Sequence, residues 1–394
     1  MQLLLFALKI LVLLSSGARL TQWVFQVGPS CHTVRAQSTF SAFLAEHCRP
    51  GVVLKSASCD IFQNLAFEDW IHAHVDVEKR SILFMCRNRP AVVIGRHQNP
   101  WQECNVPLAR ERGIPVARRR SGGGTVFHDL GNVNLTFFSS RKRYDRQRNL
   151  RIVTRALRQL SPNLDVHATE RFDILLNKQF KISGTAAKLG RTGAYHHCTL
   201  LCSADRALLS ATLRSACAAG IRSNATPSVA APVRNLRDED PTLNCDAVME
   251  AVASQYCADF GLSAPAVVVD PTDELSHPGI RRITQELQAW DWVFGKTPAF
   301  SLDTSFEVQC EACDTKVNLT VGVKSGAIET CSIESPQDWL PPAMCRELSG
   351  LMVGSRFRPS DMAVIFTAFL RANPQSHELE NKMHILCEKV VALM

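Results

Sequence analysis

"RRRSGGGTVFHDLGN" spans Arg118–Asn132. Three arginines, one serine and three glycines lead into an apolar, strand-like run. Gly122, Gly123 and Gly124 lack a Cβ, so the backbone there can adopt positive φ and bring its N–H groups against a ligand. Successive exposed amides make an anion-binding concavity, and Arg118, Arg119 and Arg120 add positive charge beside it. The spacing is neither GxGxxG nor GxxxxGK[ST], so neither a dinucleotide fold nor a P-loop is supported. The plain alternative is a flexible turn beside a solvated basic run. The strand-like segment that follows favours a loop at the rim of a pocket.

Working outward, "DIFQNLAFEDWIHAHVD" (Asp60–Asp76) carries apolar residues at near-helical spacing, with Asp60 as N-cap. "SILFMCRNRPAVVIG" (Ser81–Gly95) reads as two strands joined at Asn88-Arg89-Pro90. "GRHQNPWQECN" (Gly95–Asn105) reads as a loop, because the residue before Pro100 is biased away from helix. "GNVNLTFF" (Gly131–Phe138) alternates like a half-buried strand, and "RFDILLNKQFKISGTAAK" (Arg171–Lys188) like a hairpin turning at Asn177-Lys178. Residues 203–220 are Ala/Leu-rich and expected to be helical. Beyond "WDWVFGKTPAF", three alternating strands with a turn at Ser325-Gly326 precede two helices, "AMCRELSGLMVG" and "DMAVIFTAFLRAN". The expected fold is therefore mixed α/β (α+β) and not doubly wound, with a small α+β domain from about residue 298 to 394.

The bulk numbers bound the function. A chain of 394 residues that is 46% hydrophobic can bury a large core. A formal charge of +7 suits an acidic partner or anionic ligand better than the coating of nucleic acid. Fifteen scattered cysteines, an odd number, fit a reducing compartment better than a disulfide framework.

The N-terminus is distinct: Leu-rich, with Lys9 and Arg19 and no acid before Glu46. Its apolar stretch Leu3–Leu14 fits a secretory signal, and its long acid-free lead fits a mitochondrial presequence. The residues alone leave these two open. A membrane span is disfavoured because Lys9 interrupts a run already too short.

Lys181 in "KISGTAAK" is the second candidate for chemistry. A lysine held near a phosphate or carbonyl oxygen stabilises charge developing in acyl transfer; otherwise it is a solvated strand end. His196-His197 point to opposite faces of a strand and do not share a metal. His72 and His74 do not face each other on a helix. Cys310 and Cys313 form a lone CxxC with no second pair at zinc spacing, and no metal site is expected. "RKRYDRQR" (Arg141–Arg148) is a solvated face or a docking site for an acidic protein. No GxSxG element is present, so covalent catalysis is unsupported.

Together, "RRRSGGGTVFHDLGN", "VVIGRHQNPWQECN", "KISGTA" and "YHHCTLL" resemble the lipoate–protein ligase and lipoyltransferase family, and the match runs on through "GIRSNAT" and "AWDWVFGKTPAFS". Within it the chain looks most like the vertebrate mitochondrial lipoyltransferases. The resemblance implies a presequence over 1–45, a biotin/lipoate ligase-like catalytic domain over 46–297, an accessory domain over 298–394, and a mitochondrial matrix location. It implies lipoyl-AMP as substrate, with no tightly bound cofactor, and ATP and Mg²⁺ only if the chain is a complete ligase. Arg120, Thr125, Val126, Phe127 and His128, beside Gly122–Gly124, would line the lipoyl-AMP pocket, Phe127 standing where relatives carry Tyr. Lys181 would contact phosphate and acyl carbonyl as the catalytic residue. Arg171, Asp173, Thr199, Ala225 and Thr226 would complete the site. The implied partners are lipoyl domains of 2-oxoacid dehydrogenase E2 subunits and the glycine-cleavage H protein, met by a monomer, with neither nucleic acid nor membrane involved. An acidic acceptor would give the Arg141–Arg143 surface a docking role.

Overall fold

The structure is a computed structural model, and it describes residues 51–394 except 216, 263–265, 310–313 and 374–375. The expected presequence and the Cys310/Cys313 pair lie outside the described residues.

Among the described residues the strands form four sheets. The largest runs in the order Thr185–Leu189, Gly193–Leu201, Asn132–Ser140, Ser81–Cys86, Gly51–Ser56, Val267–Val269. Gly51–Ser56 is parallel to both its neighbours, and the other pairings are antiparallel. On one face, Leu83, Leu135 and Phe137 pack with Leu150, Val153, Val248 and Val252 of helices Arg146–Leu160 and Cys245–Phe260. On the other, Ile82, Phe84 and Phe138 pack with Phe67, Trp70 and Ile71 of helix Ile61–His74. Helices cover both faces, so burying each apolar stripe yields the expected mixed α/β layering.

Local signals account for much of this. Asp60 caps its helix, its carboxylate accepting from Phe62 N–H at 2.9 Å and Gln63 N–H at 3.1 Å. The hairpin Ile174–Leu176/Phe180–Ser183 turns at Asn177 and Lys178, with φ of +54° and +59°. Two left-handed residues in succession match the right-handed twist of the arms. Ser325 and Gly326 do the same, at +51° and +75°, between Asp314–Lys324 and Ala327–Glu334.

Three expectations need correction. "GRHQNPWQECN" contains a short helix, Pro100–Glu103, capped by Asn99. Asn99 is indeed extended, but a proline that cannot continue a helix is well suited to begin one. Strand Asn132–Ser140 is not half-exposed: all but Ser139 is buried. Its polar face meets the inside of the protein, where Asn132 donates to Asn134 at 3.0 Å and Thr136 bonds Glu68. Among the described residues of 203–220, Arg206–Thr212 and the 3₁₀ turn Ala218–Gly220 are helical and the rest are not.

The C-terminal sheet is Ile221–Ser223, Phe300–Gln309, Asp314–Lys324, Ala327–Glu334. Helices Pro342–Met352, Pro359–Ala372 and His377–Val391 follow it, the last not foreseen. Ile221–Ser223 precedes residue 298 yet pairs with Phe300–Leu302. Val92, Ile94, Trp101 and Phe127 share one apolar core with Phe300, Leu302 and Phe357. The C-terminal part therefore buries the back of the glycine-loop region.

Candidate active site

The glycine loop hangs between two strands of a small sheet, Val116–Arg118 and Val126–His128, which flank Ala91–Ile94. The arginines ahead of it are braces. Arg118 is fully buried and donates to the carbonyls of Val293 at 2.8 Å, Arg96 at 3.0 Å and Gln98 at 2.8 Å, and to Thr297 Oγ1 at 2.9 Å. Arg119 donates to the carbonyls of Val93 at 3.0 Å, Gly122 at 2.6 Å and Gly124 at 2.7 Å. Burial pulls both guanidinium groups down to about 10, still charged at neutral pH. Arg120 pairs with Asp69 at 2.8 Å and Glu286 at 3.0 Å, and its guanidinium lies 4.6 Å from the Trp292 ring centroid. The expected field of three positive charges beside a ligand is thus corrected. Arg118 and Arg119 keep their charge, Arg119 on the wall of the cavity described below, but their hydrogen bonds go to the protein's own carbonyls, and Arg120 alone is neutralised, by carboxylates.

Gly123 has φ +88°, and a Cβ there would lie 3.0 Å from Arg119 Nη2. Gly95 packs so closely beneath the loop that a Cβ on it would meet Gly123 O at 2.1 Å. The absent side chains serve this stacking of loop on loop as well as any ligand.

A cavity of about 1010 Å³ opens beside the loop. Gly123, Gly124, Thr125, Val126, Phe127, His128, Arg171, Asp173, Lys181, Thr199 and Thr226 line it together. Arg120, Gly122 and Ala225 are not on its wall; Ala225 is buried and its N–H donates to Ser223 Oγ at 3.1 Å. Phe127 is only 2% exposed and belongs to the core shared with Trp101 and Phe300. It also lines the cavity, while its ring packs in that core.

Lys181 comes from the second arm of the hairpin. Its Nζ lies 2.9 Å from Asp173 Oδ1, and its N–H donates to Pro232 O at 2.8 Å. Thr199 Oγ1 accepts from Gly184 N–H at 3.1 Å. A Cβ at Gly184 would sit 3.6 Å from Lys181 Cε, 3.7 Å from Thr199 Oγ1 and 3.8 Å from Val126 Cγ1. Three segments distant in sequence therefore converge on one point, where a Cβ on Gly184 would make ordinary van der Waals contact with all three.

With this geometry in view, the comparisons are decisive. The lipoyl protein ligase A/B catalytic domain family matches residues 60–257. The human mitochondrial lipoyl amidotransferase is 52% identical over 344 residues, covering 87% of this chain and 92% of that one. The chain belongs to the lipoyl protein ligase family. Lipoate-protein ligase A of Psychrobacter cryohalolentis is 34% identical over 82% of this chain and 94% of its own length. Among solved structures, P. falciparum LipL1 in complex with lipoate superposes with TM-score 0.55 at 25% identity, over 86% of this chain and 99% of that one. A bi-partite lipoate protein ligase from Thermoplasma acidophilum shares the fold, with TM-score 0.53 at 22% identity over 63% of this chain and 97% of that one. The chain is a lipoyltransferase, hence an acyltransferase of α/β ligase fold.

Several residues around this lipoyl ligase-family site were not singled out in the sequence as site residues, although His197 and Gln98 fall in the motifs that carry the resemblance. His197 faces the cavity, its Nε2 2.9 Å from Ser121 Oγ and its Nδ1 3.3 Å from the Glu68 carboxylate. His196 points the other way, its ring near Phe137 and Asn149, as strand alternation requires. Gln98 Oε1 accepts from Gly95 N–H and Thr125 Oγ1, each at 2.8 Å. Ser228 Oγ accepts from Thr125 N–H at 2.9 Å and bonds Glu103. Glu68 sits on a helix that the apolar pattern marks only as amphipathic. The polar alternation of Asn132, Asn134 and Thr136 was a further hint, for the side of the strand that Glu68 meets.

Proposed function

We propose that the chain carries the lipoyl group of lipoyl-AMP to a lysine ε-amine on lipoyl domains, those of 2-oxoacid dehydrogenase E2 subunits, in the mitochondrial matrix. The observation that supports this is the convergence of Gly124, Val126, Lys181 and Thr199 on one cavity. A mixed anhydride is already activated, so the protein needs no nucleophile of its own. What remains is to hold the anhydride, exclude water and orient the amine.

Lys181 supplies a cation on the cavity wall, positioned by Asp173. It neutralises the phosphate and then the oxyanion formed when the amine nitrogen attacks the acyl carbon. The bond from that carbon to the phosphate oxygen breaks, AMP departs with the electron pair, and an amide forms. The incoming ammonium must first lose a proton, and Asp173 is the carboxylate at hand to take it. The neighbouring Thr199 and Gly184 keep the hairpin against the sheet, so the cation and the glycine loop stay in register.

The mitochondrial names of the human and mouse relatives support the matrix location, as does the acid-free leader. The test is mass-spectrometric modification of a lipoyl domain with three donors compared: lipoyl-AMP, ATP with Mg²⁺ and lipoate, and lipoylated H protein. Rapid transfer from lipoyl-AMP is expected. An acceptor that stays unmodified with lipoyl-AMP would sink the proposal.

A further inference from the structure

We propose that His128 recognises a sulfur of the acyl tail, so that the cavity prefers lipoyl over octanoyl groups. The inference rests on the lipoyl-transfer reading above and adds a determinant of substrate choice.

His128 is on the cavity wall and 7% exposed. Its Nδ1 lies 3.1 Å from Asn88 Nδ2. An amide nitrogen can only donate, so Nδ1 accepts. The amide cannot turn over without cost, because Asn88 Oδ1 accepts from Asn64 Nδ2 at 2.7 Å, and Asn64 Oδ1 accepts from Ser56 Oγ at 2.6 Å. With Nδ1 accepting, a neutral ring carries its proton on Nε2. Burial, helped by the Arg119 charge, pushes this imidazole down to about 3, so it is neutral at any physiological pH. Its Nε2 is closed off from solvent and has no hydrogen-bond partner, so an acyl tail in the cavity makes the contact by displacing the side chains that cover it. A buried donor without an acceptor is a standing cost that a ligand atom can remove.

Its depth suits the purpose. Val126 and His128 lie on one face of their strand and Phe127 on the other. Val126 Cγ1 touches the Gly184 point that Lys181 Cε also approaches. His128 is two residues further along, about 7 Å from that reacting end. An extended chain advances roughly 3.6 Å in three bonds, so the five bonds from acyl carbon to the first sulfur-bearing ring carbon span about 6 Å. Divalent sulfur at that depth is a weak acceptor for the Nε2 proton. The methylenes of an octanoyl chain accept nothing, and a site with a buried polar group rejects the analogue that leaves it unpaired.

The experiment compares kcat/KM for lipoyl-AMP and octanoyl-AMP with one acceptor lipoyl domain, in wild type, His128→Phe and His128→Gln. Calorimetric binding of free lipoate and octanoate to the wild type runs beside it. The expected wild-type preference for lipoyl is about three- to tenfold. His128→Phe should bring the ratio close to one, and His128→Gln, which keeps an N–H donor, should restore most of it. A wild type with no preference in either rate or binding overturns the inference. So does His128→Phe lowering both rates in proportion. A wild type that transfers neither group overturns the lipoyl-transfer reading itself, and this inference with it.

Discussion

Lys181 Nζ and Asp173 Oδ1 stand 2.9 Å apart across the mouth of the hairpin, both side chains about one-quarter exposed. The pair is accessible enough to exchange partners when an anionic substrate arrives, and short enough to hold the ammonium in one place. Lys181→Ala should slow acyl transfer by about 10²–10³ while substrate still binds, since one oxyanion donor is lost. Single-turnover rates beside equilibrium binding check this; a matching loss of binding would make the residue an anchor only. Asp173→Asn, which loosens the cation and removes the carboxylate assigned to deprotonate the amine, should cost at least about 10²-fold, and less at high pH, where the amine loses its proton unaided.

Arg118 offers a stability test. Its buried guanidinium serves acceptors from the loop at residues 95–98 and from the 292–297 linker. Arg118→Met leaves those carbonyls without donors and should cost on the order of 3 kcal/mol. Urea unfolding measures this, and a change under 1 kcal/mol would show that the carbonyls find other partners.

Gly123 tests the loop. At φ +88° an alanine is strained, and its Cβ would crowd Arg119. Gly123→Ala should destabilise by about 1–2 kcal/mol and reduce transfer more than stability, because the moved guanidinium holds the loop carbonyls. Unfolding and kinetics on the same preparation separate the two effects.

Acid should weaken the fold through two histidines. Burial depresses His128 and His196 to about 3, below the ordinary 6.5 of an unfolded chain. A depressed folded pKa means the stabilisation is complete above pH 6.5 and is lost as pH falls toward 3. Each contributes about 1.4 kcal/mol of loss per pH unit within that window. Denaturation midpoints from pH 7 to 5 should fall, and His196→Leu should shallow the slope.

Docking of the acceptor can be located by charge reversal. Arg141 follows the strand whose cavity residue Thr136 lies five positions back, roughly 17 Å away. Arg143 is occupied with the carbonyls of Val77 and Glu78, at 3.1 and 2.8 Å. Arg214 is exposed on the cavity wall itself. Arg214→Glu should slow modification of an acidic acceptor at low salt more than Arg141→Glu with Lys142→Glu. Equal sensitivity at both places would argue against docking centred on the mouth.

Much of the fold was legible because its signals are local. Asp60 as cap, Asn177-Lys178 and Ser325-Gly326 as turns, and the strand at 126–128 each depend on a few adjacent residues and their φ preferences. The site was legible in part. The glycine cluster and Lys181 are visible in sequence, but which arginine faces a ligand is not, since burial is set by segments far along the chain. Asn132–Ser140 was misjudged for the same reason: alternation reports two unlike faces, not whether the polar one meets water or a cavity.

The sequence alone determined the menu of elements, the turns, and the residue types suited to holding an anion without a nucleophile. Those depend on short-range sterics and on side-chain chemistry, which travel with the residue. Tertiary structure alone decided that Arg118 and Arg119 brace the backbone, that Lys181 and the glycine loop line one cavity, and that His128 and His197 lie on its wall. Such assignments arise from which distant surfaces must exclude water together, and no stretch of adjacent residues carries that information.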